Sequence, residues 1–281
     1  CTLMLSPGDA EAAGLATGKP AFPVASLPEN FDEARAEEMM ARGVVALMGL
    51  EAALGALRAA QTPPGREGWR PWPSRGAPRV LPVTEAEAKS RLAAAGIAVP
   101  AGVSAPDLRH LAARAVSLRP PLALKGLGFA HKTENGAVRL GLQTLTGEAE
   151  MPGASGYLAE EMVQGGVAEL LVGIRRDPVY GVALTLGFGG VSAELLDDTV
   201  TLICPVTAPQ VHQALRELRL WPLLDGYRGR ARVDVAAVVD VALRVQDMMQ
   251  SGQTEEIEIN PLMVLGQGAV AVDAVIWEDE T

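Results

Sequence analysis

Acidic and amide oxygens are spaced along an apolar strand near the end of the chain. The segment reads Glu256-Ile257-Glu258-Ile259-Asn260-Pro261-Leu262. Residues two apart share one face of a strand, so Glu258 and Asn260 are predicted to lie on one face, with Ile257 and Ile259 on the other. Oxygen ligands in this arrangement suit a hard cation.

A glycine turn then returns the chain beside this strand. If Gly266-Gln267 or Gln267-Gly268 forms a two-residue hairpin turn, Asp273 falls on the same face, directly or diagonally opposite Asn260. A carboxylate and an amide oxygen suit Mg²⁺, which usually takes one or two protein oxygens and completes its shell with water and nucleotide phosphates. On these residues alone, the alternative is a hairpin with a solvated polar face.

A second candidate site begins where an apolar strand ends in a lysine. Lys125 precedes Gly126-Leu127-Gly128, so an ammonium group lies beside flexible backbone whose N–H groups can approach an anion. This is the outline of a phosphate cradle, although it lacks the G-x-x-x-x-G-K-[ST] order. Six residues on, a histidine, a lysine and a hydroxyl crowd a glycine turn in His131-Lys132-Thr133-Glu134-Asn135-Gly136. Taken alone, His131 fits a surface histidine better than a catalytic one.

The next strand runs into a glycine bend and could hold a purine. The backbone of Glu161, Met162 and Val163 can offer N–H and C=O groups, with the last two side chains as apolar walls. Glu169 begins the following strand, where a carboxylate could receive ribose hydroxyls. Gly189-Gly190 forms a further glycine turn. The alternative is a pair of solvent-facing acids flanking a hairpin.

The elements that must position these residues follow an α/β pattern. A proline- and glycine-rich segment, residues 61–82, is predicted to be a linker, with Trp69 and Trp72 packing it onto a domain. Before it, strands are expected at residues 22–26 and 44–47, with helices at 31–41 and 50–60. After it, strands are expected at 97–100, 122–125, 138–142, 156–161, 168–175 and 182–186 and in the terminal hairpin, with helices at 84–95, 107–116, 208–218 and 233–249.

Composition limits the classes of function. The 281 residues are 48% hydrophobic with a net charge of -10, which predicts a globular protein. The acidic balance argues against a nucleic-acid surface. Two cysteines give no disulfide framework, no apolar run reaches transmembrane length, and no signal peptide is recognised, so a cytoplasmic protein is expected, with no membrane partner. The absence of an initiator Met suggests a fragment.

Read in order, these motifs resemble the ATP-grasp domain of the ADP-forming acyl-CoA synthetases. That family includes acetate–CoA ligase and is similar to the β chain of succinyl-CoA synthetase. The resemblance covers roughly residues 80–277. Its motifs are Lys125, His131-Lys132-Thr133, Glu160-Glu161-Met162-Val163, Glu169-Leu170, Gly189-Gly190, Pro222-Leu223-Leu224-Asp225-Gly226-Tyr227-Arg228-Gly229, Glu258-Ile259-Asn260-Pro261-Leu262 and Asp273.

The resemblance implies a role for each motif residue. Lys125 and Lys132 would contact ATP phosphates, the segment from Glu161 through Met162 to Val163 the adenine, and Glu169 the ribose, with Gly189 and Gly190 also in the nucleotide site. Asn260 and Asp273 would hold Mg²⁺. His131 would relay phosphoryl groups, and Glu258 would orient the phosphohistidine. These chemistries are consistent, because an imidazole nitrogen is a nucleophile near neutral pH.

The resemblance also implies an architecture and a reaction. Residues 83–281 would form an ATP-grasp fold of two α/β lobes, and residues 1–60 the end of a flavodoxin-like ligase domain, joined by the 61–82 linker. The reaction would join a carboxylic acid to CoA with conversion of ATP to ADP and phosphate, through an acyl phosphate and a phosphohistidine. CoA and the acid would bind upstream domains that this sequence lacks, and the protein would act as a homo- or hetero-oligomer.

Three features depart from the family pattern. The histidine loop has Glu134 for the usual Asp and Ala137 for a Gly. The stretch from 143 to 156 is short for the helix that the family places there. The CoA-binding domain would lie upstream of Cys1.

Two other functions therefore stay open on the sequence alone. The first is a non-catalytic nucleotide-binding module, which the altered loop favours. The second is an ATP-grasp carboxylate–amine ligase, which needs no phosphohistidine.

Overall fold

A computed structural model describes residues 23–25, 33–41, 45–61, 69–73, 80–129, 136–190, 198–229, 231–250 and 253–279. The chain divides into two compact units, Cys1–Trp69 and Arg70–Thr281.

The first unit contains a short parallel pair of strands. Strand β1 (Val24–Ala25) is followed by helix α1 (Glu33–Ala41), strand β2 (Leu47–Met48) and helix α2 (Leu50–Gln61). Parallel neighbours need a crossover connection, which the segment containing α1 provides. The second strand lies later than the predicted 44–47, because the backbone bonds that fix it join Leu47 N to Pro23 O and Gly49 N to Ala25 O.

The second unit contains two antiparallel sheets and their helices. In chain order its elements are β3 (Val80–Pro82), α3 (Glu85–Ala94), β4 (Gly102–Ala105), α4 (Leu108–Arg114), β5 (Leu122–Leu127), β6 (Val138–Leu142), β7 (Gly156–Glu161), β8 (Ala168–Asp177), β9 (Gly181–Phe188), β10 (Thr199–Ile203), α5 (Ala208–Glu217), α6 (Trp221–Leu224), α7 (Val235–Met249), β11 (Thr254–Val264), β12 (Ala269–Ala271) and β13 (Ala274–Asp279). Single turns of 3₁₀ helix lie at Ala115–Ser117 and Tyr227–Gly229.

The large sheet has seven strands in the order β10-β9-β8-β11-β13-β3, with β12 pairing with β11. One face is apolar and packs against α5 and α7. This face includes Val172, Leu184 and Ile259, each fully buried. The alternation that buries Ile257 and Ile259 leaves Glu256, Glu258 and Asn260 only partly buried. The predicted alternation along this strand is therefore confirmed.

Truncating a side chain at the centre of this core tests its contribution to stability. We expect Leu184→Ala to lower the free energy of unfolding by about 2–5 kcal/mol, because Leu184 is fully buried in β9. Val179→Ala, on the exposed turn before β9, is the matched control and should change stability by less than about 0.5 kcal/mol. Chemical denaturation measures both. Equal effects for the two variants would contradict this description of the core.

The small sheet has the order β4-β7-β5-β6 and packs against α4. Leu111, Leu124 and Ala159 are completely buried in its core. The buried Tyr157 hydroxyl accepts a hydrogen bond from Met151 N at 2.9 Å. That bond attaches the segment 143–155 to the small sheet. This segment forms turns and no helix, in agreement with the prediction that it is too short for the helix of the family.

Most predicted elements are confirmed, and two strands at 138–142 and 156–161 match residue for residue. The strand predicted at 97–100 is wrong. Ile97 N instead donates to Leu92 O and closes the end of α3, while Pro100 has no N–H to give a ladder. The sequence analysis does not predict strands β4, β10 and β13 or helix α6.

Both ends of the predicted linker belong to neighbouring elements. Gln61 ends α2, and Val80–Pro82 forms an edge strand, a position where proline is tolerated. The backbone N–H of Trp72 donates to Cys204 O at 3.0 Å, and the side chain packs against the core of the large sheet, as predicted. Cys204 is a buried free thiol, and burial raises its pKa to about 12. None of the helices in the described ranges is long and apolar enough to cross a membrane.

Candidate functional site

The terminal hairpin has the predicted turn. Leu265 N donates to Gly268 O at 3.0 Å across Gly266-Gln267, and Leu262 pairs with Ala271. Continuing this register places Asn260 directly opposite Asp273, and Asn260 N donates to Asp273 O at 3.1 Å. The predicted juxtaposition is confirmed. Both side chains are partly exposed on the edge of the polar face of the large sheet.

Two glycines directly after β9 connect that strand to its neighbours. Gly190 bonds to the hairpin, and Gly189 bonds to β8. Asn260 Oδ1 accepts a hydrogen bond from Gly190 N at 3.1 Å, and Gly189 N donates to Glu169 O at 2.9 Å. A Cβ on Gly190 would lie 2.0 Å from Glu169 Oε2, and Gly190 has a φ of +68°. A side chain at this position is therefore excluded twice, by space and by backbone conformation. The structure brings together Glu169, both glycines and Asn260.

Lys125 lies at the junction of the two sheets, inside a buried network of charges. Its Nζ is 2.6 Å from Glu85 Oε1, 3.0 Å from Glu160 Oε2 and 2.8 Å from the carbonyl oxygen of Val272. Val272 immediately precedes Asp273 in the terminal hairpin. Lys125 thus connects strand β5 of the small sheet to helix α3 and to the hairpin that carries the candidate metal ligand.

The network contains a second lysine. Lys89 Nζ lies 2.5 and 2.6 Å from the two carboxylate oxygens of Glu160 and 2.8 Å from Glu85 Oε1. Burial lowers the pKa of Lys89, against the attraction of its two carboxylate partners. Burial also acts to lower the pKa of Lys125, but the combined attraction of Glu85, Glu160 and Asp273 outweighs it and raises that pKa. Lys125 is therefore protonated at neutral pH.

Sequence reasoning missed three members of this network, Glu85, Lys89 and Glu160, as functional candidates. Glu85 and Lys89 are spaced i, i+4 on α3, which is an ion-pair spacing that could have been read. The sequence motif includes Glu160, but the predicted adenine contact is assigned to the neighbouring Glu161. The buried residue of that pair is Glu160.

The predicted purine edge is already partly used by the fold. Glu161 N donates to Ala101 O and Met162 N donates to Pro121 O, each at 2.9 Å. The Glu161 carboxylate accepts from Arg119 N at 2.8 Å. The N–H groups of Glu161 and Met162 are therefore used by the fold in this structure, and the binding of adenine along this edge stays a prediction. Backbone carbonyl oxygens of Ala101 and Pro121 accept from these N–H groups, and the sequence pattern could not identify those acceptors.

Glu258 lies on the polar face of β11, beside Gly173 of β8. A Cβ on Gly173 would meet no atom of the described residues within 4 Å, so these residues leave the sheet surface next to Glu258 uncovered. Burial and the neighbouring charge of Glu258 raise the pKa of Glu256, while Arg175 acts in the opposite sense. The arrangement offers an acidic surface that suits a cationic or hydrogen-donating group.

The histidine loop lies outside the described residues, so His131 and Lys132 have no position here. The structure describes its end from Gly136, which has a φ of +64°. Ala137, found in place of the family glycine, is completely buried, and its carbonyl oxygen accepts from Gly126 N at 2.8 Å. The altered residue is therefore part of the small-sheet core.

The donor set of the hairpin fits a magnesium ion. Within the described part of the chain, no group of three His, Cys, Asp or Glu side chains could hold a metal. Asn260 and Asp273 would supply two oxygens, the number that Mg²⁺ commonly takes from a protein when phosphates and water complete its shell. The Asn260 oxygen has two lone pairs, so its bond to Gly190 leaves one for a cation.

A family model covers most of the chain. The model of the ATP-grasp domain matches residues 79–277. A curated relative, the β subunit of ADP-forming acetate–CoA ligase II of Pyrococcus furiosus, is 30% identical over 69% of this chain and 90% of its own length. The single-chain ADP-forming acetate–CoA ligase I of Archaeoglobus fulgidus is 34% identical over 57% of this chain, but only 25% of its own length is covered.

Solved structures give the same result. The dinucleotide-forming acetyl-coenzyme A synthetase 1 of Ca. Korarchaeum cryptofilum, in complex with coenzyme A and Ca-AMPCP, is 26% identical with a TM-score of 0.62, covering 69% of this chain and 92% of that chain. A complex of the same enzyme with Mg-AMPPCP, whose phosphohistidine segment points towards the nucleotide site, is 27% identical with a TM-score of 0.60, covering 68% and 90%. The chain spans 30% and 25% of the first two curated relatives and 90% of the β subunits. These similarities favour an acyl-CoA synthetase portion over the two alternatives.

Proposed function

Because this chain belongs to the ATP-grasp family and is homologous to the subunits of ADP-forming acyl-CoA synthetases, we propose that it binds Mg-ATP and takes part in acid–thiol ligation. The observation that carries the proposal is the convergence of Asn260, Asp273, Glu169 and the two glycines next to the buried Lys125. The overall reaction would convert a carboxylic acid, CoA and ATP into an acyl-CoA, ADP and phosphate.

Each residue would act on a different part of the nucleotide. Lys125 would contact the outer phosphates with its ammonium group, Glu169 would accept hydrogen bonds from the ribose hydroxyls, and Met162 and Val163 would supply apolar contacts to the adenine. Asn260 and Asp273 would hold Mg²⁺, which when bound would offset phosphate charge. Lys132 would add a second phosphate contact.

Phosphoryl transfer to the histidine loop would follow. A ring nitrogen of His131 would attack the γ-phosphorus, forming a P–N bond as the bond to the β,γ-bridging oxygen breaks and ADP leaves. Glu258 would accept a hydrogen bond from the other ring nitrogen and orient the phosphohistidine. The sheet surface at Gly173 supports this role, since the described residues leave room there beside the carboxylate.

The rest of the enzyme would lie outside this chain. We propose that residues 1–60 are the end of a flavodoxin-like ligase domain, with residues 61–82 as the linker to the ATP-grasp domain. CoA and the carboxylic acid would bind upstream domains, on the same chain or on a partner subunit, in a cytoplasmic homo- or hetero-oligomer. The parallel β1 and β2 pair with its intervening helix supports an α/β origin for the first segment.

Phosphate labelling tests the proposed function. After incubation with γ-³²P-ATP and Mg²⁺, we expect acid-labile protein phosphate, because phosphohistidine is formed. Formation of ADP without phosphoprotein would instead identify a carboxylate–amine ligase. Nucleotide binding with neither product would identify a non-catalytic module.

Lys125 gives a second test through nucleotide affinity. We expect Lys125→Ala to weaken ATP binding by about 1.5–3 kcal/mol, since it removes a charge-assisted hydrogen bond to phosphate. AMP, which lacks the outer phosphates, should be affected less. Arg114→Ala, an exposed cation on α4, is the control and should change neither affinity. Calorimetry measures both nucleotides, and equal losses for ATP and AMP would place Lys125 away from the phosphates.

A further inference from the structure

Four buried charges of the described part of the chain meet at Lys125. Two lysines, Lys89 and Lys125, are enclosed with two glutamates, Glu85 and Glu160, and each residue is at most 4% exposed. Buried ions are tolerated only when opposite charges and hydrogen bonds compensate them, and removal of one partner leaves an uncompensated charge. Among these four described residues two positive groups balance two negative ones, and the partly exposed Asp273 adds its attraction on Lys125 from the hairpin.

The two lysines share the carboxylates unequally. Lys89 contacts both oxygens of Glu160, at 2.5 and 2.6 Å, whereas Lys125 contacts one of them, at 3.0 Å. Lys89 bonds to the carboxylates of Glu160 and Glu85. Lys125 instead directs one bond to the neutral carbonyl oxygen of Val272, at the hairpin that carries Asp273. Glu160 is thus bound more closely by Lys89 than by Lys125.

This division has a consequence for an incoming phosphate. Without Lys89, two carboxylates would face Lys125 alone in a poorly solvated position, where charge interactions are strong. Their attraction would hold the Lys125 ammonium group, and their net negative charge would repel a nucleotide. With Lys89 present, the four charges sum to zero and Glu160 is held mainly by Lys89, so that no net negative charge beside Lys125 repels an incoming phosphate.

We propose that Lys89 is a positioning residue that acts through Lys125: by pairing with Glu85 and Glu160, it keeps the charge of Lys125 available to the outer phosphates of the nucleotide. The inference rests on the proposed function, in which Lys125 contacts those phosphates. Lys89 itself does not touch the nucleotide.

The first experiment is calorimetry of Lys89→Met on the complete protein with Mg-ATP and with AMP. We expect ATP affinity to fall by about tenfold and AMP affinity to change by less than about twofold, because only the phosphate contact of Lys125 is affected. A purely structural role would weaken both nucleotides equally, and that result would overturn the proposal.

Rebalancing the charge provides the matched control. In Lys89→Met with Glu160→Gln, one positive and one negative charge are lost together, so ATP affinity is expected to return to within about twofold of the original. Glu160→Gln alone leaves an excess positive charge and should strengthen ATP binding by about threefold. These two variants also decide the matter if Lys89→Met alone does not fold. ATP affinity lost in the balanced variant, or unchanged in Glu160→Gln, would overturn the proposal.

A last pair of variants separates this inference from the proposed function. If Lys89 acts through Lys125, adding Lys89→Met to Lys125→Met should not weaken ATP binding further. A further loss would overturn the inference alone. If Lys125→Met instead weakens ATP and AMP equally, the role proposed for Lys125 in binding phosphate fails, and the inference fails with it.

Discussion

Replacing His131 by alanine is expected to abolish phosphoryl exchange between ATP and acyl-CoA in the complete enzyme, a loss of about 10³-fold or more. ATP affinity should stay nearly unchanged, because the nucleotide contacts are assigned to Lys125, Glu169 and the terminal hairpin. Isotope exchange measures the first quantity and calorimetry the second. The two readouts separate a relay from a binding residue.

A lysine variant tests the chemistry at this position. Lysine supplies a positive charge but cannot stand in for the imidazole nucleophile at neutral pH. We therefore expect His131→Lys to be as inactive as the alanine variant. His110→Ala is the control, since His110 is an exposed histidine on α4 whose ring pairs with Asp107. Substantial turnover in His131→Lys would reduce His131 to a phosphate-neutralising group.

Removing the negative charge of Asp273 is expected to weaken Mg-ATP binding by about 1.5–3 kcal/mol, and to remove most of its dependence on Mg²⁺. Asn260→Ala should act in the same direction, since Asn260 lies directly opposite in the hairpin. Calorimetry with Mg²⁺ and with EDTA would measure the difference for each variant.

The matched control lies on β13, the strand that begins directly after Asp273. Asp279→Asn removes a carboxylate from the far end of β13, where its backbone N–H bonds to Gln253 O. We expect this variant to bind Mg-ATP normally. If Asp273→Asn and Asn260→Ala also kept the original Mg²⁺ dependence, the assignment of the metal to the hairpin would be wrong.

The hairpin was predictable because its information is local. Strand period and a two-residue turn together determine which residues oppose each other, so the Asn260–Asp273 pairing followed from the sequence. The charge network was not predictable in this way, because Lys89 and Glu160 are 71 residues apart and meet only when α3 packs beside the small sheet.

The errors have similarly specific causes. The apolar run at 97–100 looked like a strand, but the end of α3 uses the N–H of Ile97 and proline interrupts the ladder. At the predicted purine edge, the sequence did not reveal that the carbonyl oxygens of Ala101 and Pro121 accept from two of the N–H groups. Strand β10 was missed although Thr199-Val200-Thr201-Leu202 alternates in polarity, a pattern that the sequence did contain.

The acceptor that Lys125 finds on the hairpin belongs to the main chain. Its ammonium group bonds to the carbonyl oxygen of Val272, which every amino acid at that position would also provide. Evolution can therefore vary the side chain at 272 without losing the link between the two sheets. Among relatives, this contact would require the lysine and the same backbone path. It would place no requirement on the side chain at position 272.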